Sequence, residues 1–318
     1  MSPAVNFRSG HLQRFHGLPV FALPAPGQGD GPFPSPATVA WRLSGAAWDQ
    51  PFTPVWRRFL DEVAVEEVTA LVIGTWWDDD HSTAITATVD RLVEESHRFP
   101  ALRALHLADV VSEEVEISWI QLCDLTPLLK AFPLLEKLGV RGGDHLDVAP
   151  TRHEALRDLR IESGNLPRQI VQGLGGCDLP ALGHLDIWLG ARDYGGDTTV
   201  EDVLPLLHPE GRLPALRHLG LANSEIQDEI ASAVAGAPVV PQLESLSLAK
   251  GTLGDEGGSA LLAGQPLTHL RTLDLSHHYL SDPMAARLRF ALEPHGVRLL
   301  MGRALSHGPG GRYVAVAE

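Results

Sequence analysis

The chain has 318 residues, of which 44% are hydrophobic and 20% charged, a balance typical of soluble globular proteins. Its formal net charge of −15 at pH 7 disfavours nucleic acids and anionic membranes as partners, because both attract clustered lysine and arginine. A basic partner fits this charge better, so we expect the chain to bind a protein or peptide.

The N-terminal segment is rich in proline and glycine and contains one short apolar piece, from Leu18 to Phe21. A degenerate strand pattern follows at Val39, Trp41 and Leu43. Residues 1–67 are interpreted as an N-terminal cap with a degenerate first repeat, because an uncapped solenoid would expose the core of its terminal repeat.

One short phrase then recurs: leucine, two variable residues, leucine, one residue and a further apolar residue. Its seven copies are Leu102-Leu105-Leu107, Leu135-Leu138-Val140, Leu156-Leu159-Ile161, Leu182-Leu185-Ile187, Leu216-Leu219-Leu221, Leu243-Leu246-Leu248 and Leu270-Leu273-Leu275. The fourth and sixth positions lie two residues apart, which puts both side chains on the same face of a β-strand. A weaker copy precedes them at Val68-Leu71-Ile73, and a last strand is predicted around Val297 to Leu299.

Helix-like spacing separates the copies, as in Ile226, Ile230 and Val234. A strand followed by a helix, repeated, is a βα unit whose parallel strands stack into one curved sheet. We predict a single α/β solenoid, shaped as a horseshoe, with the sheet on the concave face and the helices on the convex face. The repeats span residues 68–299, and residues 300–318 form a C-terminal cap and tail.

This pattern resembles the leucine-rich repeat family, in its longer ribonuclease-inhibitor-like form, over at least Val68 to Leu299. Several phrases also resemble a bacterial leucine-rich-repeat family: GLPVF, LVIG-x-W, VSEE-x-EISWI, LGVRGG, LAGQPLTHLR and RYVAV. That family is often encoded beside radical-SAM enzymes, a phosphatase-like hydrolase and an ATP-grasp-like protein. The resemblance implies a bacterial accessory or scaffold protein whose partner is an enzyme encoded nearby.

The ninth repeat position departs from the family pattern, which places Asn or Cys there to bond neighbouring backbone. Glycine occupies this position in four copies, at Gly143, Gly164, Gly190 and Gly251. Because glycine suits a tight turn after a strand, we expect tight turns here and a less regular curve than a side-chain ladder would give.

Unequal spacing of the repeats predicts three insertions. The last repeats start 27 residues apart, whereas three earlier intervals are six or seven residues longer. The extra residues fall at 75–81, 109–119 and 188–197, each just past the C-terminal end of a strand. These ends share one edge of a parallel sheet, so the insertions should gather on one rim. The short interval after Leu135 leaves no room for a helix, so an irregular connection is expected over residues 141–150.

The insertions combine carboxylates with aromatic side chains. Exposed aromatics form binding hot spots, and carboxylates steer a positively charged partner. The rim residues predicted to contact a partner are Trp76, Trp77, Asp78, Asp79, Asp80, Glu113, Glu114, Trp119, Trp188, Asp193 and Tyr194. The other interpretation is that the tryptophans pack inward and the acids are merely solvated.

Strand residues that alternate with the apolar ones should face the concave surface, the usual binding surface of such repeats. The charged centre predicted there comprises Arg141, Arg160, Glu162, His184, Asp186 and Trp188. Small residues towards the C terminus, such as Gly220 and Ala249, would let another backbone approach closely. The competing interpretation is that these charges only pair with one another across strands.

The sequence contains no HExxH, paired CxxC, GxSxG or GxxxxGK[ST] motif. We therefore expect no metal site, no cofactor, no catalytic residues and no enzymatic activity. The alternative function is a metal-dependent accessory or enzyme, with candidate residues His106, Asp158, His184, Asp186 and His218. A third possibility is a scaffold that self-associates or binds through convex residues such as Arg287 and Arg289.

Two cysteines, Cys123 and Cys177, cannot staple a chain of this length, so both are expected as free thiols in a reducing compartment. The chain opens without a signal-peptide-like apolar run, and no stretch reaches the ~18 apolar residues of a membrane helix. These features predict a cytoplasmic protein.

Overall fold

One ladder of strands organises the molecule. The computed structural model describes residues 10–29, 32–45, 51–78, 82–306 and 311–318. Within these ranges, twelve strands lie side by side in chain order. The strands are β1 (Arg14–Phe15), β2 (Leu18–Ala22), β3 (Ala40–Leu43), β4 (Ala70–Ile73), β5 (Ala104–Leu107), β6 (Lys137–Arg141), β7 (Asp158–Glu162), β8 (His184–Gly190), β9 (His218–Ser224), β10 (Ser245–Ser247), β11 (Thr272–Asp274) and β12 (Arg298–Leu300).

From β2 to β12 the strands pair in parallel, and the repeated apolar positions fall opposite one another. Leu138 pairs with Leu159, which in turn pairs with Leu185. These three leucines are at most 3% exposed, because the same face of each strand turns towards the core. The α/β solenoid predicted from the leucine phrase is confirmed, including its weaker strands β3, β4 and β12.

Helices follow most of the strands and cover the convex side. They are α1 (Phe52–Glu62), α2 (Thr86–Glu94), α3 (Thr126–Ala131), α4 (Arg168–Gly176), α5 (Val200–Leu207), α6 (Gln227–Val234), α7 (Asp255–Ala263) and α8 (Asp282–Leu292). Ile230 and Val234 are fully buried, so α6 packs on the core through the face that its apolar spacing predicts. None of the described helices is long and apolar enough to cross a membrane.

The connection from β6 to β7 is irregular, as its short interval predicts. Residues 142–157, all of them described, form no helix. Leu146 and Val148 fill the core there at 2% exposure each, and Asp124 and Asp147 form an isolated parallel bridge. The apolar layer therefore continues through this repeat without a helix.

Gly190 is the ninth-position glycine that makes the expected turn. Its φ is +81°, and a Cβ atom would lie 2.1 Å from the carbonyl oxygen of Gly164. Gly143, Gly164 and Gly251 do not have a positive φ, so their backbone conformation does not require glycine. At Gly164 the missing side chain instead leaves room for the C-terminal tail, because a Cβ would lie 2.5 Å from the carbonyl oxygen of Ala317.

The N-terminal hairpin folds onto the concave face. β1 pairs antiparallel with β2, and β2 continues the sheet beside β3. Phe15 is 5% exposed because it packs with Ala40, Val72 and Ala104, which are concave residues of β3, β4 and β5. The N-terminal segment therefore covers the concave surface of the first strands as well as the end of the sheet.

The C-terminal tail, residues 311–318, lies along the edge formed by the C-terminal ends of the strands. The Ala315 amide donates to the carbonyl oxygen of Lys250 (2.7 Å). The Asn223 side chain makes two hydrogen bonds to the backbone of Val316, at 2.6 and 2.9 Å. Further along, Tyr194 donates its hydroxyl proton to the carboxylate of Glu318. The tail thus runs back from the last repeats towards the middle of the solenoid.

Candidate functional site

The charged centre of the concave face is an ion-pair network that crosses three strands. Arg141 Nη1 lies 2.9 Å from Glu162 Oε2, and Arg160 Nε lies 2.9 Å from Glu162 Oε1. Arg160 also approaches Asp186, at 3.9 Å between Nε and Oδ2. Lys137 pairs with the neighbouring Asp158. The predicted cross-strand pairing is present, and it holds these side chains in fixed positions on the surface.

Trp188 lies in the middle of this network, between two cations. It is 4% exposed, with the Arg160 guanidinium 5.6 Å and the Lys250 ammonium 4.8 Å from its ring centroid. Both separations are in the range of cation–π attraction. Burial lowers the pKa of Lys250, and the nearby Arg160 lowers it further. The prediction that Trp188 belongs to the rim is wrong, because β8 extends to Gly190 and places its side chain on the concave face.

Lys250 is the concave residue that sequence reasoning missed. Its φ is +67°, so the chain turns there and its side chain reaches back over Trp188. The strand alternation ends before this position. The sequence signal is a lysine three residues after the end of β10, a strand whose exposed residues are small.

Two histidines and a carboxylate meet between β8 and β9. The rings of His184 and His218 stack with centroids 3.9 Å apart and planes 7° from parallel. One potential ligand atom from each of His184, Asp186 and His218 lies within 4.8 Å of the others. The His218 Nδ1 atom is 2.7 Å from the hydroxyl oxygen of Ser245.

Burial sets the protonation of this cluster. It lowers the pKa of His218 to about 4, with His184 as a second cause. Burial also lowers the pKa of His184 and raises that of Asp186, the latter against the attraction of Arg160. Both imidazoles are therefore neutral near pH 7 and present lone pairs rather than charge.

The other two members of the predicted histidine–carboxylate set lie elsewhere. His106 is 5% exposed beneath the N-terminal hairpin, edge-on to Phe15 with ring centroids 5.8 Å apart. Asp158 forms its ion pair with Lys137. The structure thus brings together three of the five candidates.

Two cavities open on the concave face and share Arg160 and Trp188 as lining residues. One, of about 630 Å³, lies between the N-terminal hairpin and strands β5 to β8. The other, of about 380 Å³, lies over β8 to β12 and is lined by small residues that include Ser247 and Ala249. Both volumes are within the range of ligand pockets.

At the first insertion, the expectation of exposed tryptophans is wrong. Trp76 and Trp77 are 5% and 7% exposed and pack edge-to-face, and the Trp76 indole donates to the Thr83 carbonyl oxygen (2.8 Å). Asp78 accepts two hydrogen bonds from Thr53 in the first turn of α1, at 2.9 and 2.8 Å. The predicted residues Asp79 and Asp80 lie outside the described residues.

The second insertion provides the exposed aromatic residue of the rim. Trp119 is 60% exposed, and its indole donates to Glu116 Oε2 at 3.1 Å. Glu114 and Glu116 line the same shallow groove, of about 380 Å³, as Trp119 and Ser82, and Glu113 of the same insertion is exposed outside the groove. The groove therefore combines an aromatic side chain with two carboxylates.

The third insertion approaches the second. Asp193 is exposed, and Tyr194 is half-buried against the tail, where its hydroxyl contacts Glu318. Glu116 is close enough to Tyr194 to help raise its pKa, after the hydrogen bond to Glu318 and burial. The second insertion follows the C-terminal end of β5, and the third begins within β8 and continues past its C-terminal end, so their described residues beyond the strands lie along one edge of the sheet.

Neither cysteine is an activated thiol. Burial raises the pKa of Cys123 to about 12, with Asp90 and Asp124 adding to the effect. Burial also raises the pKa of Cys177, against a hydrogen bond from Thr151. Nucleophilic chemistry needs the thiolate, so both side chains act as small core residues.

Comparison with known proteins identifies the repeat. A profile described as leucine-rich repeat matches residues 241–262 and 267–283. A crystal structure of a Bacteroides fragilis protein, determined as a structural-genomics target, is similar with a TM-score of 0.74 and 29% identity, over 82% of this chain and 72% of that one. No curated protein matches the chain. The matched residues carry a leucine-rich repeat, and the repeated strand–helix units together with the structural likeness show that the chain has the fold of an α/β leucine-rich-repeat solenoid.

Proposed function

We propose that this protein is a non-catalytic interaction module that holds a protein or peptide partner against its concave face and its acidic rim. Leucine-rich repeats generally mediate protein–protein interactions, which supports the class of function. The observation that carries the proposal is Trp119, an exposed tryptophan that shares a shallow groove with Glu114 and Glu116. An exposed aromatic side chain beside two carboxylates suits a basic partner, because the ring supplies apolar contact and the acids supply attraction.

The concave face supports the same proposal. Its ion pairs and cation–π contacts hold Arg160, Trp188 and Lys250 in a defined arrangement, while small neighbouring residues leave the cavity over β8 to β12 open. A pre-organised surface loses little entropy on binding. We propose an enzyme encoded nearby as the partner and the cytoplasm as the location, the latter supported by two buried free thiols.

Affinity capture from the native host followed by mass spectrometry would supply the partner for a quantitative test. We expect Trp119→Ala to weaken its binding about tenfold or more, as for an aromatic hot spot. Phe290→Ala is the matched control, because Phe290 is an aromatic residue of convex helix α8 and is 85% exposed. Ser247→Trp tests the concave face, since it places a large side chain in the cavity over β8 to β12.

Binding weakened by Trp119→Ala and Ser247→Trp but not by Phe290→Ala would support the proposal. The reverse pattern would contradict it and favour a scaffold that uses its convex helices. The assay is repeated at rising salt, where attraction between the acidic rim and a basic partner should weaken.

A further inference from the structure

We propose that His184, Asp186 and His218 bind one divalent transition-metal ion of the zinc class on the concave face, between β8 and β9. This inference goes beyond partner binding and does not depend on it. It also revises the expectation, drawn from the missing sequence motifs, that the chain has no metal site.

The sheet register brings the three side chains together. His184 and His218 are directly paired across β8 and β9, and Asp186 follows His184 by two residues on the same face. One potential ligand atom from each residue lies within 4.8 Å of the other two. Zinc bonds of about 2.0–2.2 Å require closer ligand atoms than this, so the two stacked imidazoles must tilt towards one another when the ion binds. His218 lies a full repeat beyond His184 and Asp186, so no short metal-ligand motif marks the three residues.

The hydrogen bonding of His218 favours a metal ligand. Its Nε2 atom is shielded from solvent and has no hydrogen-bond partner among the described residues. Its Nδ1 atom lies 2.7 Å from Ser245 Oγ. With Nδ1–H donating to that hydroxyl, the lone pair on Nε2 is available, and this is the usual orientation of a metal-binding histidine held by an outer-shell partner. A bound ion would also remove the cost of leaving a buried nitrogen unsatisfied.

Gly220 gives the carboxylate its room. A Cβ atom on Gly220 would lie 2.4 Å from Asp186 Oδ1, so any larger residue there would displace the carboxylate. This glycine is one of the small concave residues noted in the sequence, and its φ is not in the left-handed region. Glycine is therefore needed at this position for the space it leaves beside Asp186, and not for its backbone conformation.

The charged side chains around the cluster are of both signs and do not prevent a cation from binding there. Asp158, Lys137 and Arg160 act on His184, and Glu162, Arg160 and Lys250 act on Asp186. Carboxylates and cations thus both surround the cluster. The three proposed ligands line the cavity over β8 to β12, which has room for a further ligand of the ion.

The test is a metal titration of the full chain after treatment with a chelator. We expect one equivalent of Zn²⁺ to bind with micromolar or tighter affinity by calorimetry, and Mg²⁺ not to bind, because imidazole ligands favour zinc over magnesium. Co²⁺ should give the visible absorption of a protein-bound ion with nitrogen ligands.

His184→Ala, and independently Gly220→Ala, should each weaken Zn²⁺ binding at least about tenfold. His295→Ala, an exposed histidine remote from β8 and β9, is the matched control. Ser245→Ala tests the positioning of His218 and should weaken affinity without removing the Co²⁺ spectrum. Circular dichroism confirms that each variant is folded.

Failure of the wild-type protein to bind Zn²⁺ would overturn the inference, as would equal binding by folded His184→Ala and Gly220→Ala variants. Partner binding is measured separately with and without chelator. Partner binding that survives metal removal leaves the proposed function intact whatever the titration shows.

Discussion

At the residue scale, burial separates side chains that have the same chemistry in the sequence. Trp76 and Trp119 both belong to acidic insertions, yet Trp76 is 5% exposed and Trp119 is 60% exposed. The Trp76 indole has its partner inside its own loop, at the carbonyl oxygen of Thr83, whereas the Trp119 indole is anchored to the side chain of Glu116. Of these two tryptophans, only Trp119 exposes its ring to solvent and so is accessible to a binding partner.

His218 provides a test at this scale that does not involve a ligand. Its folded pKa of about 4 lies below the ordinary value of 6.5, so the unfolded chain binds more protons between these two values. Stability should therefore fall as pH drops through this window. With chelator present, we expect wild type to lose about 1–2 kcal/mol of unfolding free energy from about pH 7 to about pH 5 that His218→Gln does not lose. Urea denaturation at both pH values measures the difference, and equal losses would contradict the prediction.

At the scale of elements, the two terminal segments change which parts of the solenoid are available. The hairpin β1–β2 covers concave residues of β3 to β5, so the open concave surface begins at β6. The tail occupies the rim beside Tyr194, Asn223 and Lys250. On the concave face and the rim, the terminal segments leave open the cavity over β8 to β12 and the groove around Trp119.

Deleting residues 312–318 should lower the free energy of unfolding by about 2–3 kcal/mol. The deletion removes the burial of Val314 and Val316, which are 6% and 9% exposed, and the hydrogen bonds to Asn223. Asn223→Ala should reproduce the part of this loss that comes from the two hydrogen bonds to Val316. In the truncated chain it should cost less than in the full chain, because it then removes only the hydrogen bond to the Ser163 carbonyl oxygen and places alanine at a φ of +55°. Thermal or urea unfolding of the truncated and full-length chains measures this loss of stability. A truncated chain as stable as wild type would contradict the described packing of the tail.

At the scale of the whole molecule, a solenoid is stabilised mainly by contacts between neighbouring repeats, so damage should remain local. Asp109 joins the hairpin to the first repeats: it is 1% exposed, lies 2.8 Å from Arg42 Nε and accepts from the Leu12 amide at 3.1 Å. We expect Asp109→Ala to destabilise the fold by about 3–5 kcal/mol, because it leaves a buried cation without its carboxylate.

Hydrogen exchange would show which repeats lose stability in the Asp109→Ala variant. Amides of β3 to β5 should lose more protection than those of β9 to β11, because the broken contacts belong to the first repeats. Glu113→Ala, an exposed carboxylate of the same insertion, is the control and should change stability by no more than about 0.5 kcal/mol. Uniform loss of protection along the sheet would show that the repeats unfold as one unit.

The repeat period was sufficient to predict the fold. Strands β3 to β12 and their parallel order follow from apolar spacing within about thirty residues, as do the irregular β6–β7 connection and the concave positions of Arg160, His184 and Asp186. The antiparallel hairpin β1–β2 lies outside the repeat and was not predicted. Local periodicity fixes which face a side chain takes, and the register of the leucines fixes which repeats are neighbours.

Only the tertiary structure determines which candidate residues are accessible to solvent and which of them contact one another. Leu12 contacts Asp109 across 97 positions, and Val316 contacts Asn223 across 93. No periodic pattern marks such contacts, because they join segments outside the repeat to surfaces within it. For the same reason, the sequence indicated five histidines and carboxylates as candidate residues without showing which of them lie together. The pairing of β8 with β9 and the space beside Gly220 bring three of them into one cluster.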